Sequence, residues 1–359
     1  MNKKLRNILT LSLALLSTVS FAQEISLDSR TRANMHGDNE MMLVEQRATL
    51  STNIGGDDWG VHLSSDVNWF HHDANTGPGS LTARVYEAYA STNLFDLASL
   101  TVGRQAWDFG SGALIGSNQW SDVRNTRDGM LLDIDNDLVD LNVGYSNFNN
   151  GNPGEESMTY TLVNASKTVG DFTANILLIN QMNDGVETNA TGLDLGYTAM
   201  DGALEINAMM NALTQGDAEM DMVSLGATYS VNDDLSVRAS QSVYGDQGFA
   251  IDGGTNMGFS DGGSNNSWFT HGNLGYLQSN DEQLSIGVDY SMGDFDLSAT
   301  VHTITNDTYI NFNEDATVTE ISIGYTLNDH ASLNLKMVED DRFNLDGDSY
   351  TWLTLNVTP

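Results

Sequence analysis

Residues 101–135 read TVGRQAWDFGSGALIGSNQWSDVRNTRDGMLLDID. The stretch follows an alternating piece, with Leu100 and Val102 on one face and Thr101 and Gly103 on the other. It then breaks into a loop of Gly, Ser and Asn and closes with Met130, Leu132 and Ile134 sharing a face. A period of two marks strands with unlike faces, so this is a pair of strands joined by one long loop. The same alternation runs outward in both directions. Ile25, Leu27, Ala33 and Met35 oppose Asp28, Arg30, Arg32, Asn34 and His36; Met42, Val44, Ala48, Leu50 and Ile54 oppose Glu45, Arg47, Thr49 and Asn53. Trp59, Val61, Leu63, Val67 and Trp69 oppose His62, Ser64, Asp66 and Asn68. Segments of about 10 to 14 residues suit tilted strands that cross a bilayer, and tryptophans at both ends of an apolar row suit interfacial girdles.

The connections alternate in length. Short turns are predicted at 55–58, 93–97, 135–137, 169–172, 200–203, 232–234, 292–295 and 328–331, with longer Gly/Asn/Asp-rich links such as 71–80, 108–126, 147–157, 306–316 and 340–348 between them. Short on one side and long on the other is the pattern of an all-β, antiparallel, up-and-down transmembrane β-barrel, here of about 18 strands. A soluble sandwich has no reason to segregate its loops this way. Residues 244–282 are assigned to a long extracellular loop folding partly into the channel, because a strand at 268–277 would make the count odd. The last strand alternates through Leu353, Leu355 and Val357, although the final residue is Pro359 rather than an aromatic.

Gly103, Arg104 and Gln105, then Phe109, Gly110, Gly112, Leu114, Gly116 and Trp120, and finally Arg127, Asp128 and Gly129 stand in a distinctive order and spacing. That pattern resembles the signature of the alginate-export family of outer-membrane β-barrels. Weaker echoes lie at 84–89 (RVYEAY) and 270–276 (THGNLGY). The resemblance implies an outer-membrane channel; taken literally, the family name implies export of an acidic polysaccharide such as alginate.

The N-terminus begins MNKKLRNILTLSLALLSTVSFAQ, with a basic head, an apolar run from Ile8 to Val19 and the small-residue site Ser20-Phe21-Ala22. Residues 1–22 therefore read as a secretory signal peptide, with residues 23–359 as the barrel in a Gram-negative outer membrane. No later window approaches the ~18 consecutive apolar residues of a spanning helix. Cysteine is absent, which excludes disulfides and thiolate metal sites. Three of the 14 basic residues lie in the leader, leaving 11 against 49 acidic residues and a formal charge of −38. Nucleic acid is a poor partner for such a chain, and a polyanion could pass only where the few arginines gather.

Arg30, Arg32, Arg47, Arg127 and Arg238 alternate onto the water-facing side and form a candidate basic wall that sorts solutes by charge. Asp28, Glu45 and Asp66 share that face, either opposing the arginines across a constriction or pairing with them within the wall. Arg104 shares the phase of Leu100 and Val102, so it faces lipid unless Gly103 forms a bulge or Arg104 stands above the membrane. Arg84 and Glu87 cannot both face inward without a bulge. The acidic run at Asp133, Asp135 and Asp137 lacks the glycine and glutamate of a calcium loop. His71, His72 and Asp73 read as an exposed loop, and Gly258 to Gly262 fits G-x-S-x-G without the strand and helix such a nucleophile needs. No cofactor, metal or catalytic residue is expected. The expected function is passive diffusion of small hydrophilic solutes or oligosaccharides, with polysaccharide export or a structural or adhesive barrel as alternatives. Expected partners are membrane lipid, lipopolysaccharide, the transported solutes and, during insertion, the barrel-assembly machinery.

Overall fold

The computed structural model describes residues 22–35, 42–71, 81–95, 97–117, 119–120, 124–134, 136–148, 158–183, 185–247, 249, 279–306, 315–341 and 348–358. Its strands are β1 (Ala22–Asn34), β2 (Leu43–Gly55), β3 (Trp59–Phe70), β4 (Leu81–Leu94), β5 (Ala98–Gln105), β6 (Arg127–Ile134), β7 (Asp140–Phe148), β8 (Met158–Val169) and β9 (Phe172–Asn183). They continue as β10 (Val186–Ala199), β11 (Leu204–Gln215), β12 (Ala218–Ser230), β13 (Leu235–Tyr244), β14 (Glu282–Met292), β15 (Phe295–Thr305), β16 (Asp315–Asn328), β17 (Ala331–Asp340) and β18 (Asp348–Val357). Each strand pairs antiparallel with its neighbours in sequence, and β1 pairs with β18 from Ser29↔Val357 to Asn34↔Trp352, closing an 18-stranded ring. Closure matters because an open edge would leave backbone N–H and C=O groups without partners in hydrocarbon. Among the described residues no helix is long and apolar enough to cross a membrane.

Alternation fixes which face is which. Leu50, Val61, Leu63, Ile176, Leu178, Leu225, Ile286, Val301 and Ile321 stand exposed on the outer face, while Thr49, Ser64, Asn175, Asn211, Thr300 and Thr354 are buried on the inner one. A slip of one residue would exchange the two sets, so a lipid-facing row specifies register strongly. At the short-turn rim Phe172 stacks on Tyr197 with centroids 4.4 Å apart and Phe295 on Tyr325 at 4.6 Å. With exposed Trp59, Tyr229 and Tyr290 these rings make an interfacial girdle.

The eight short connections fall where the sequence places them. At the opposite end the links are less uniform: β10 begins at Val186 just after β9 ends at Asn183, with Gly185 at φ +77°, and 216–217 is a two-residue turn with Gly216 at φ +60°. Residues 1–21 of the predicted leader 1–22, the acidic residue 135, the loop at 72–73, the G-x-S-x-G stretch and, of the predicted inward loop 244–282, residues 248 and 250–278 lie outside the described residues.

Two local irregularities answer questions raised by the sequence. In the β3–β4 ladder Glu87 pairs with Ser64 and Val85 with Ser65, so Tyr86 is the extra residue of a bulge. That bulge lets Arg84, opposite inward Asp66, and Glu87, opposite inward Ser64, share the lumenal face. No bulge relieves Arg104. The two ends of the signature pair in register across β5 and β6: Gly103↔Gly129, Arg104↔Asp128, Gln105↔Arg127. Arg104 stays on the outer face, where Nε and Nη2 donate to Asp128 at 2.7 and 2.6 Å and Nη1 donates to the Val85 carbonyl at 3.4 Å. The β4–β5 ladder begins only at Ala88, so this guanidinium neutralises a carboxylate and also serves a carbonyl on the upper stretch of β4, which pairs with β3 but not with β5. Gly103, at φ +134°, lies so close to the backbone of Ala88 and Tyr89 that no Cβ fits.

Candidate functional site: a constricted lumen

The connection between β5 and β6 turns into the barrel. It leaves the wall where the Ala106 N–H donates to the Glu87 carboxylate at 3.0 Å. Trp107 follows, buried over Gly144. On the far side the Ser111 N–H donates to Asp194 Oδ2 at 2.8 Å, and Gly110, at φ +61°, leaves no room for a Cβ against Asp194 and Asn175. Leu114 and Ile115, each 1 % exposed, then pack in an apolar cluster with inward Leu162, Leu177, Ile179 and Leu213. An interior packed this way excludes water, so this half of the lumen is filled.

The loop returns along the opposite wall. Arg30 Nη1 donates to the carbonyls of Gln119 at 3.1 Å and Trp120 at 2.6 Å. Arg32 Nη2 reaches the Trp120 carbonyl at 2.7 Å, and Arg47 Nη1 the Gln119 carbonyl at 3.0 Å. Arg32 also lies 3.9 Å from the Trp120 ring centroid, and Trp120 meets Trp352 edge-on at 5.9 Å. Further along, Arg124 donates to both Asp66 oxygens, one of them from Nε at 3.1 Å, and sits 3.4 Å from the Tyr86 ring. Gln119 Nε2 donates to the Tyr86 hydroxyl at 3.0 Å. β1 and β10 lie half-way round the ring from one another, so a loop held by Asp194 on β10 and Arg30 and Arg32 on β1 spans the lumen.

Among the described residues a cavity of about 920 Å³ lies between Gln119–Trp120 and the inner faces of β13 to β18, β1 and β2. Arg30, Arg32, Arg47, Arg238 and Lys336 line it together with Asp289, Asp296 and Glu320. Five of the 11 basic residues outside the leader thus gather in one space, a density that favours anions there despite the negative chain. Lys336 Nζ donates to Glu320 at 2.7 Å, and Arg238 pairs with Asp289 and donates to Ser298 at 3.1 Å. Among the described residues no three His, Asp or Glu side chains are grouped to hold a metal ion.

Glu45 lies beside Arg32, at 3.8 Å on the adjacent strand, and Asp28 pairs in register with Thr49 on the same wall, so neither faces the arginines across the channel. Asp66 is buried under the loop with Arg124. Arg127 faces inward on the filled side, 4.6 Å from the Tyr160 ring, and does not line the cavity. The acidic groups of the cavity are instead Asp289, Asp296 and Glu320. Alternation in β14 to β16 marks these inward, but only closure of the ring brings them into one cavity with Arg30 and Arg47. Arg124 and Gln119 carry no strand pattern that would reveal their role. Of the signature, Gly103, Gln105 and Gly129 shape the loop's neck, Gly110 its far anchor and Trp120 its lip.

A family model described as Alginate export matches residues 28–147. The segment holds the second half of β1, β2 to β6, most of β7 and the whole inward loop. The chain is an 18-stranded barrel that resembles the alginate-export family over that third. Solved structures resemble it over nearly their full length. OpdK of Pseudomonas aeruginosa, solved with vanillate, superposes with a TM-score of 0.71 at 12% identity, covering 95% of this chain and 100% of that one. OccAB4 of Acinetobacter baumannii gives 0.71 at 11%, covering 94% and 98%. OprD of Pseudomonas aeruginosa gives 0.67 at 13%, covering 96% and 97%. At these identities the likeness carries the fold. No curated protein matches by sequence.

Proposed function

We propose that the chain, exported by residues 1–22 and inserted in the outer membrane, is a passive channel for small hydrophilic solutes that carry negative charge. The observation that carries this reading is the meeting of Arg30, Arg32 and Arg47 with the inward loop beside a water-accessible cavity. Guanidinium groups keep their charge at any working pH and match carboxylates in shape, so a narrow passage lined by them selects organic anions over neutral sugars. One similar barrel was solved with vanillate, an organic anion, which supports that class. The test is solute entry into liposomes holding the refolded protein. Small carboxylates should enter faster than neutral sugars of equal size; equal rates would remove the charge-selective part of the reading.

Export of an acidic polysaccharide is the second reading, favoured by the description of the matching family. The loop across the lumen and the carboxylates Asp289, Asp296 and Glu320 oppose a thick polyanion. Passage of uronic-acid oligomers at the rate of monomers would place this reading first.

A further inference from the structure

A second recess lies low in the lumen, on the inner face of β1 to β4, away from the arginine-lined cavity. We propose that it binds small organic cations, ammonium groups above all, at the short-turn mouth of the barrel. It measures about 630 Å³ and is bordered by Glu24, Asn53, Asp57, His62, Tyr89 and Ser91.

Glycine creates the space. Gly55 pairs with Gly60 on the lumenal register, so bare backbone stands where the next inward pair carries Asn53 and His62. A Cβ on Gly55 would press on the Trp59 carbonyl at 2.6 Å and one on Gly60 on Ser91 Oγ at 3.0 Å. The sides are held in place by contacts of their own. The His62 ring stacks on Tyr89 with centroids 4.9 Å apart, its Nδ1 bonds Asn53 Oδ1, and its Nε2 is 3.5 Å from Glu87. Tyr89 therefore presents a fixed aromatic ring, with exposed Glu24 and Asp57 at the rim and no Lys or Arg in the lining.

A carboxylate beside an aromatic ring recognises a weakly hydrated cation by charge and by the ring's quadrupole; Asp57 supplies the charge, and Glu24 offsets the α-ammonium that removal of residues 1–22 leaves on Gln23. The same groups repel an anion. Glu24 precedes Arg30 by six residues along β1, on the order of 20 Å, so the recess is a station separate from the arginines. The inference rests on the channel reading only for its electrical test, and its binding test is independent of that reading.

Choline serves as the probe in two measurements, calorimetric titration of the detergent-solubilised barrel and block of single-channel current from each side. Saturable binding is expected, weakened about tenfold in Glu24→Gln with Asp57→Asn, which removes the charges that attract the trimethylammonium group and keeps the side-chain size. Tyr89→Leu should weaken it severalfold while keeping both charges. Block is expected only from the short-turn side. No binding by the parent, equal binding by the double variant, or equal block from both sides overturns the proposal. A barrel that binds choline but never conducts keeps the recess and removes the channel reading; one that conducts without binding choline does the reverse.

Discussion

The two halves of the lumen differ in kind. From β8 to β11 the inner wall presents Leu162, Leu177, Ile179, Ala190 and Leu213, and the inward loop lies against it with Trp107, Leu114 and Ile115 buried. From β13 round to β2 the inner wall presents Arg238, Asp289, Glu320, Lys336, Arg30 and Arg47 beside a cavity, and the buried apolar cluster reaches this side only near the long-link end, with Ile304, Val318, Val338 and Trp352. One barrel thus contains a packed core and a water-filled passage side by side. Apolar inward residues decide where the loop settles, because burying them against Leu114 and Ile115 removes apolar surface from water. Charged inward residues decide where it cannot settle, since their desolvation would go uncompensated. The arginines join the two halves by holding the loop's edge at Gln119 and Trp120 while still bordering the open side.

The largest expected effect comes from breaking the packed half. Leu114→Ala removes a buried side chain between loop and wall and should cost about 2–5 kcal/mol of docking energy. Single-channel recording should then show higher, noisier conductance, and an unchanged trace would mean that the filled half does not limit the pore. Next comes the contrast between faces at one level of β2. Leu50→Arg puts a cation in lipid and should destabilise the barrel by ~2–4 kcal/mol near the midplane, whereas Ser51→Arg, facing water, should fold nearly as the parent does. Heat-modified migration on gels separates them, and equal behaviour would contradict the assigned faces. A smaller effect follows at the loop's far anchor. Gly110→Ala combines left-handed strain with collision against Asp194 and Asn175, while Gly112→Ala, at φ +76° with nothing within 4 Å of its added Cβ, suffers strain alone. The second should cost about 1–2 kcal/mol and leave conductance near the parent value; the first should disturb conductance as well.

The alternation that separates Leu50 from Thr49 and Arg47 needs no partner strand to be visible, so the faces, the strand count and the eight short turns were legible in the sequence. For Arg84 and Glu87 the sequence left two possibilities, opposite sides or a bulge, and the β3–β4 register decides for the bulge at Tyr86. Where Arg104 sits was open, because its neutralising partner Asp128 lies across a loop and only the register shows that the two meet. The filled half left one signal, the run Ile176-Leu177-Leu178-Ile179, apolar on both faces where a lumen strand should be polar on one. The meeting of Arg30 and Arg47 with Asp289 and Glu320 in one cavity left none, since it arises when β18 meets β1 and the ring closes.

The central claim is that ions pass through the charged half and that Arg30 and Arg47 bias their sign. Reversal potentials in KCl gradients test it most directly, comparing the parent with Arg30→Ala/Arg47→Ala and with Arg30→Lys/Arg47→Lys. The Debye length falls from about 30 Å at 0.01 M to about 3 Å at 1 M, so outlying carboxylates act only in dilute salt and lumenal cations at any concentration. The account predicts anion preference in concentrated salt, where only the lumenal arginines act, weakened or reversed in dilute salt by the outlying carboxylates. The alanine variant should move toward cations at both, and the lysine variant should stay near the parent. Permeability ratios that are the same in all three proteins would contradict it.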